Sequence, residues 1–486
     1  MHAIQQLAEL SDVLTKSTVT PRALAEILPG RLIEDAVAEH DRQAKRDRKL
    51  LPPAVAWLVV GMSLYRELSV KNVLRKLVQE HGLVVNWALA EVPHSTSITH
   101  ARDRLGWRVL RTLFFKLVSS LIGRRPEVDT WKTLPTYALD GSSFATPDTA
   151  DNEAEFGRPK TGRGLSAYPQ FRGVLLVGVW SHYVLGARFA AGKVGELTLA
   201  RSMLEQIPTR CLLLQDRNFY AFAWLSDLAQ RGTLFVVRAK NKRKTKETKE
   251  AKEAKAKAKA KAKAKAKKTK AKRKKTKASV KDLQMLTTTR QISRCEWLGV
   301  LNSSRPVRRK RPDLPSELAV RVIKCERKGF RPRFIVTNLL DREEYPANDV
   351  AELYLDRWEV EGGLRETKCV LGSNKKPLFR SKEGDRVRQE TYGLLIAYNC
   401  VRALMAEAAE VAGVRPRQLS FTDCLQLTRT MLVLMAQADP LRLPSLYETF
   451  VDQMARCVLP ERRKGRQCPR EVKQKLSNYP RKVTAA

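Results

Sequence analysis

Two apolar segments of this chain each run into an aspartate: Asp140 in YALDGSS and Asp216 in LLLQDRNFY. A carboxylate at a strand end beside a loop can hold a hard divalent cation. Mg²⁺ takes a few carboxylates and completes its shell with substrate phosphate oxygens and water. Two such ions, about 3.5–4 Å apart, stabilise both the attacking and the leaving oxygen of a phosphodiester displacement. A third carboxylate, Glu361, lies in AELYLDRWEVEGGLRETKCVLG. Tyr354, Glu361 and Lys368 recur at intervals of seven, close to two helical turns, and Arg357 follows Tyr354 by about one turn. One helix face then carries a hydroxyl, a guanidinium, a carboxylate and an ammonium. The carboxylate suits a metal site, and the two cations suit flanking phosphates. Plainer uses exist for each group. An Asp at a strand end can cap the following turn, and Arg357–Glu361 can be an i,i+4 pair on a solvated face.

The elements that must position these groups are legible as patterns. TYALDGSSF, QFRGVLLVGVWSHYVLGARFA (two strands turning near Ser181-His182), TRCLLLQD and TLFVVRAK read as strands. GELTLARSMLEQI and AWLSDLAQRG, stopped at Gly232, read as helices between them, and a polar loop spans 146–169. Strands alternating with helices predict an α/β layer with a largely buried sheet. TTTRQISRCEWLGVL and SELAVRVIKCERKGFRPRFIVTNLL predict a further β subdomain with a hairpin around Lys328-Gly329; from Asp349 the chain turns helical. The first 125 or so residues read as helices, with Ser69 capping VKNVLRKLVQEHG and Ser95 or Ser97 opening a second helix bearing Arg102, Arg104, Arg108 and Arg111. This pair is either a helix-turn-helix reader of a major groove or part of an ordinary bundle with a basic face. Gly362-Gly363 weakens the Glu361 helix by roughly 1 kcal/mol per glycine.

Composition narrows the partner. The 486 residues carry 91 Lys+Arg against 51 Asp+Glu, a net charge of +40 that favours a polyanion. The Lys/Ala tract 240–281 supplies +19 of it, and the remaining +21 belongs to the body of the chain. The tract has neither an apolar face nor turn chemistry, so it is expected to be solvated. No apolar run reaches the ~18–20 residues that span a bilayer, and the N-terminus has no basic leader pattern, so no membrane partner is expected. The eight Cys are scattered without C-x-x-C spacing, and the six His form no ligand pattern; reduced thiols in a cytoplasmic protein are expected.

Tyr354-x2-Arg357-x3-Glu361-x6-Lys368 matches the Y-R-E-K signature of the insertion element 4 family of DDE transposases, which the chain resembles from about residue 20 to its basic tail. LDGSSFATPDT with FGRPKTGRGLSAYPQ resembles that family's first-Asp segment, QDRNFYAF its second, and LPPAVAWLVVGMSLYRELSVKNVLRKL its N-terminal domain. The resemblance implies an α/β, ribonuclease H-like catalytic core interrupted by a β-strand insertion subdomain, with a helical N-terminal domain. It implies a catalytic triad of Asp140, Asp216 and Glu361 binding two Mg²⁺ ions (Mn²⁺ substituting), with Tyr354, Arg357 and Lys368 positioning DNA. Trp297 is a candidate to stack on an unpaired base, or else a structural aromatic on its strand.

The expected domains are 1–125, helical and DNA-binding; 126–239, first part of the core; 240–281, Lys/Ala insert; 282–346, β insertion; 347–412, second part of the core; and 413–486, helical with a basic tail. The implied activity is that of a bacterial insertion-sequence transposase working at the nucleoid. It would bind double-stranded DNA at the element's ends and the target, as a homodimer on DNA. Water would cleave a phosphodiester, and the freed 3′-hydroxyl would attack a second one. The competing readings are a nuclease that never joins strands and a non-catalytic DNA-binding protein.

Overall fold

The computed structural model describes residues 22–46, 48–81, 83, 92–125, 127–161, 164–241, 279–326, 332–367 and 379–460. The chain forms two compact units. The first comprises residues 1–215, 231–233 and 352–486; the second comprises 216–230 and 234–351.

The sheet of the first unit is built on β2 (Leu134–Ala145). The two-residue β1 (Thr130–Trp131) turns back on its start. The expected polar loop after β2 contains a helix, Ala150–Phe156, capped by Thr149, and a small hairpin of β3 (Lys160–Thr161) and β4 (Gly164–Leu165). β5 (Gln170–Gly178) and β6 (Val184–Ala191) are the expected strand pair, and β7 (Leu212–Gln215) completes the order β6-β5-β2-β7. β2 pairs antiparallel with β5 and parallel with β7. All four residues of β7 are buried, as befits a strand covered on both faces.

Helices supply the rest of this unit. Pro52–Leu64 begins with two prolines, where a missing N–H does no harm, and is apolar on every side; from Ala54 onward it is wholly buried. The long helix Gly384–Val411 packs on it so closely that a Cβ at Gly393 would stand 2.9 Å from the Val59 carbonyl oxygen. Val70–Gln79 is capped as expected: Ser69 Oγ accepts the Asn72 N–H at 3.2 Å. Among the described residues no helix is long and apolar enough to cross a membrane.

The expected recognition helix runs Ser95–Leu105, and a second helix follows at Trp107–Arg124. The basic stripe is not uniform. Arg102 is buried and donates from Nε to Gln389 Oε1 (2.8 Å) and from Nη2 to Ser381 Oγ (3.0 Å), so it fastens the helix instead of facing a groove. Arg104 and Arg108 are exposed.

The second unit is an antiparallel sheet in the order β8-β12-β11-β10-β9: β8 (Leu234–Arg238), β9 (Leu286–Ser293), β10 (Glu296–Asn302), β11 (Glu317–Cys325) and β12 (Arg333–Thr337). The turn expected at Lys328-Gly329 lies outside the described residues. Arg321 is fully buried. It donates to Glu296 Oε1 (2.6 Å) and to the carbonyls of Leu339 (3.1 Å) and Tyr345 (2.8 Å), fixing the chain that leads into the helix Ala347–Arg365.

His81 lies in the first unit, buried and stacked on Tyr65 at 5.3 Å and 16°. Burial holds its pKa down, to about 4. The folded state keeps this imidazole neutral, whereas the unfolded chain protonates it near 6.5. Its contribution to stability is therefore present above pH 6.5 and is lost as pH falls toward 4. Between pH 7 and pH 5 that loss is up to about 2 kcal/mol. Urea melts of wild type and His81→Gln at both pH values are expected to show a smaller pH dependence in the variant.

Candidate active site

Asp140 was expected at a strand end and instead lies inside β2. The strand continues because GSSFA keeps pairing with Gln170–Val174 of β5. Its parallel partner does stop: the register pairs Leu139 with Gln215, the last residue of β7. Asp140 and Asp216 are the next residues along these two strands. The Asp140 carboxylate accepts the Gly141 N–H at 2.9 Å. The Glu196 side chain lies close over Gly141, its carboxyl carbon 2.5 Å from where a Cβ would stand, so any larger residue there would have to displace it.

Asp216 opens the second unit and caps the short turn Arg217–Phe219, its Oδ1 accepting the Asn218 N–H at 2.6 Å. Asn218 has its backbone fixed by that cap. Lys240, expected to belong to the solvated Lys/Ala tract, is half-buried and donates to the Asn218 carbonyl at 3.3 Å. Burial lowers its pKa below the ordinary lysine value, while Asp216 pulls the other way. A cavity of about 660 Å³ opens here, lined by Arg217, Asn218, Arg238, Lys240 and Arg333. The flanks of the tract are stitched at its rim. Asn241 bridges Leu283, the Gln284 N–H donates to the Lys240 carbonyl (2.8 Å), and the Tyr220 hydroxyl donates to the Gln284 carbonyl (2.7 Å). A neighbouring cavity of about 410 Å³ is lined by Lys281, Arg290, Arg294, Lys324 and Trp297, whose ring lies 6.0 Å from Phe334.

The expected signature helix is present, Ala347–Arg365. Tyr354 is only 2% exposed, and its hydroxyl donates to the Gln215 carbonyl at 3.2 Å. A group expected at the DNA is thus engaged in tying this helix to the end of β7. Arg357 is 7% exposed, with its guanidinium 5.9 Å from the Tyr354 ring centre. Glu361 lies on the described backbone of the helix, its side chain outside the described atoms; Lys368 lies outside the described residues. Sequence reasoning passed over two carboxylates on the same helix. Asp356 accepts the Trp180 indole N–H (3.3 Å) and pairs with Arg417 (3.0 Å), and Glu366 pairs with the buried Arg402. Their only sequence signal was their spacing of five from Glu361.

Among the described residues no three carboxylate, imidazole or thiol groups form a ready-made ion cage. The donor chemistry nevertheless fits a hard divalent cation: each of the two aspartates is oriented by a backbone N–H and offers oxygen ligands.

Comparison with known proteins identifies the family. Residues 131–400 match the family described as Transposase DDE domain, and residues 19–115 match Insertion element 4 transposase N-terminal. The Escherichia coli (strain K12) protein named Transposase InsG for insertion sequence element IS4 is 28% identical over 459 residues, covering 94% of this chain and 93% of the relative. Putative transposase InsZ of the same organism is 30% identical over 234 residues, covering 48% and 75%. A cryo-EM structure of a piggyBac transposase synaptic complex with hairpin DNA matches over 95% of this chain and 87% of that one, at 11% identity and a TM-score of 0.37. The chain belongs to the DDE transposases, in the insertion element 4 family, and is an insertion-sequence transposase that acts on DNA.

Proposed function

We propose that Asp140, Asp216 and Glu361 are the triad that cleaves and joins DNA at the ends of the element, holding two Mg²⁺ ions that Mn²⁺ can replace. The observation that carries this reading is the parallel register Leu139–Gln215: Asp140, inside β2, and Asp216, just past β7, each follow a residue of that pair. The helical spacing supports the third member: seven residues separate Tyr354, held at Gln215, from Glu361. A divalent cation bound by these carboxylates would supply charge neutralisation at the scissile phosphate.

The chain's own groups would do the rest. In the first step a water oxygen bonds to phosphorus as the bond to the 3′ oxygen breaks, and the proton ends on the 3′-hydroxyl. In the second, that 3′ oxygen bonds to the phosphorus of another phosphodiester as its bond to that strand's 3′ oxygen breaks, and the hydroxyl proton ends on the departing 3′ oxygen. No side-chain nucleophile is needed. The cavity beside Asp216, with Arg217, Arg238, Lys240 and Arg333, has the charge to seat backbone phosphates. Arg357 and Lys368 would bind phosphates flanking the break, and Trp297, among cations, would stack on an unpaired base. The core would be ribonuclease H-like with residues 282–346 as its β insertion, and the assembly on DNA a homodimer at the nucleoid.

Asp140→Asn, Asp216→Asn and Glu361→Gln are each expected to lower strand cleavage by about 10³-fold or more while end binding changes less than about threefold. The assay is a labelled element end with Mg²⁺, read for nicked and strand-transfer products. Cleavage near the wild-type rate in any of the three overturns the triad, and nicking without transfer in the wild type overturns the joining step. Deleting residues 242–277 is expected to flatten the salt dependence of nonspecific binding and leave cleavage intact. Loss of cleavage in that deletion would assign the tract a catalytic part.

A further inference from the structure

The signature helix must present Glu361 in one direction, and the residues on its other side are unusually constrained. At 3.6 residues per turn, five positions amount to about 140° on the wheel. Asp356 and Glu366 stand five before and five after Glu361, so both fall on the side away from it, as does Gly363. Tyr354, seven before, shares the Glu361 side. Each of these positions has a defined partner in the first unit.

On the rear side, Asp356 accepts the Trp180 indole N–H and pairs with Arg417. Gly363 sits where a Cβ would lie 3.1 Å from the Tyr398 hydroxyl and 3.2 Å from His182 Nδ1, a tight contact that the glycine avoids. The chain then leaves α-helical pitch in a wider, π-type turn at Glu366 and Thr367. Glu366 accepts from Arg402 Nη2, and the Tyr398 hydroxyl donates to it at 3.0 Å. Arg402 is 1% exposed and also donates from Nε to the Tyr398 hydroxyl (3.1 Å) and from Nη2 to His182 Nδ1 (3.0 Å). Burial, then repulsion from Arg402 and Arg417, keeps the His182 imidazole neutral and able to accept.

The same hub reaches the sheet. His182 lies in the β5–β6 turn at φ +61°, and Asp129 holds that turn through the Trp180 and Ser181 N–H groups at 2.7 and 2.9 Å. Asn399, three residues before Arg402, bonds both the N–H and the carbonyl of Val184 at 2.9 Å. Arg402 therefore joins three elements: the long helix that bears it, the β5–β6 turn, and the end of the signature helix.

From this network we propose that Glu366, Arg402 and Tyr398 are positioning residues for the reaction, locking the roll of the signature helix and with it the place of Glu361 on the helix side that Tyr354 ties to the end of β7. The proposal rests on the triad reading. It assigns no contact with DNA or metal to the three residues. They act through the helix: the Glu366–Arg402 pair lies on the side away from Glu361.

The test compares Glu366→Ala, Glu366→Gln and Tyr398→Phe with wild type, with Glu361→Gln as the reference. Glu366→Gln keeps an acceptor for Arg402 and is the conservative rescue; Tyr398→Phe is the milder lesion should Glu366→Ala fold poorly. Thermal melts report folding. Glu366→Ala is expected to lower kcat for cleavage by about 10–100-fold with KM for end DNA within about twofold. It is also expected to weaken Mn²⁺ binding to DNA-free protein about fivefold or more, followed by electron paramagnetic resonance. Tyr398→Phe is expected to lose about threefold to tenfold in kcat, and Glu366→Gln, which keeps the acceptor but not the counter-charge, to melt below wild type yet stay within about threefold of it in kcat and Mn²⁺ affinity. Wild-type kcat and Mn²⁺ affinity in folded Glu366→Ala and Tyr398→Phe overturn the proposal if Glu361→Gln is inactive. If Glu361→Gln still cleaves, it is the triad reading that fails.

Discussion

A guanidinium with almost no exposure to water, that of Arg402, is the constraint on which the first unit's arrangement turns. A charge withdrawn from solvent is tolerated only with a counter-charge and satisfied hydrogen bonds. Glu366 supplies the charge, and Tyr398 and His182 supply acceptors. The demand is mutual. Moving the signature helix by a turn, or rotating it, would strand the guanidinium and cost several kcal/mol. Apolar packing alone allows small slides and rolls; a buried ion pair with directional partners does not.

The second unit solves a comparable problem with the same chemistry. Arg321, fully buried, answers to Glu296 and to carbonyls on the segment entering the signature helix. Each end of that helix is thus referred to a buried arginine, one in each unit. Both arginines bond partly to backbone carbonyls or fixed side chains, which sets position as well as charge balance.

The strands and most helices were legible because their signals are local: alternation and apolar runs for the sheet, Ser69 for a cap, Gly232 at φ +73° for a stop. The extent of β2 was not legible, because Gly141, Ser142 and Ser143 look like a turn and become strand only through β5. The front of the signature helix was readable from its spacing. Its rear was not, because Asp356 and Glu366 resemble ordinary surface carboxylates until Trp180, Arg417 and Arg402 are brought to them from distant parts of the chain. Likewise, Arg102 looked like part of a DNA-facing stripe, and only Gln389 and Ser381 show what holds it. Lys240 was assigned by composition to a low-complexity run, yet its neighbours place it in the wall beside Asp216.

The bridge between Asn241 and Leu283 bears on how such a chain can change in length. With Asn241 and Leu283 fastened, the two points where the tract meets the described chain stay together whatever its length. The tract's entropic burden grows only with the logarithm of its length, so each doubling costs about 0.6 kcal/mol. A lysine-alanine repeat could lengthen or shorten by slippage of its coding DNA with little effect on the register of β8 or the placement of Asp216. In that sense the stem works as an expansion joint, separating a segment free to drift in sequence from a wall that is not.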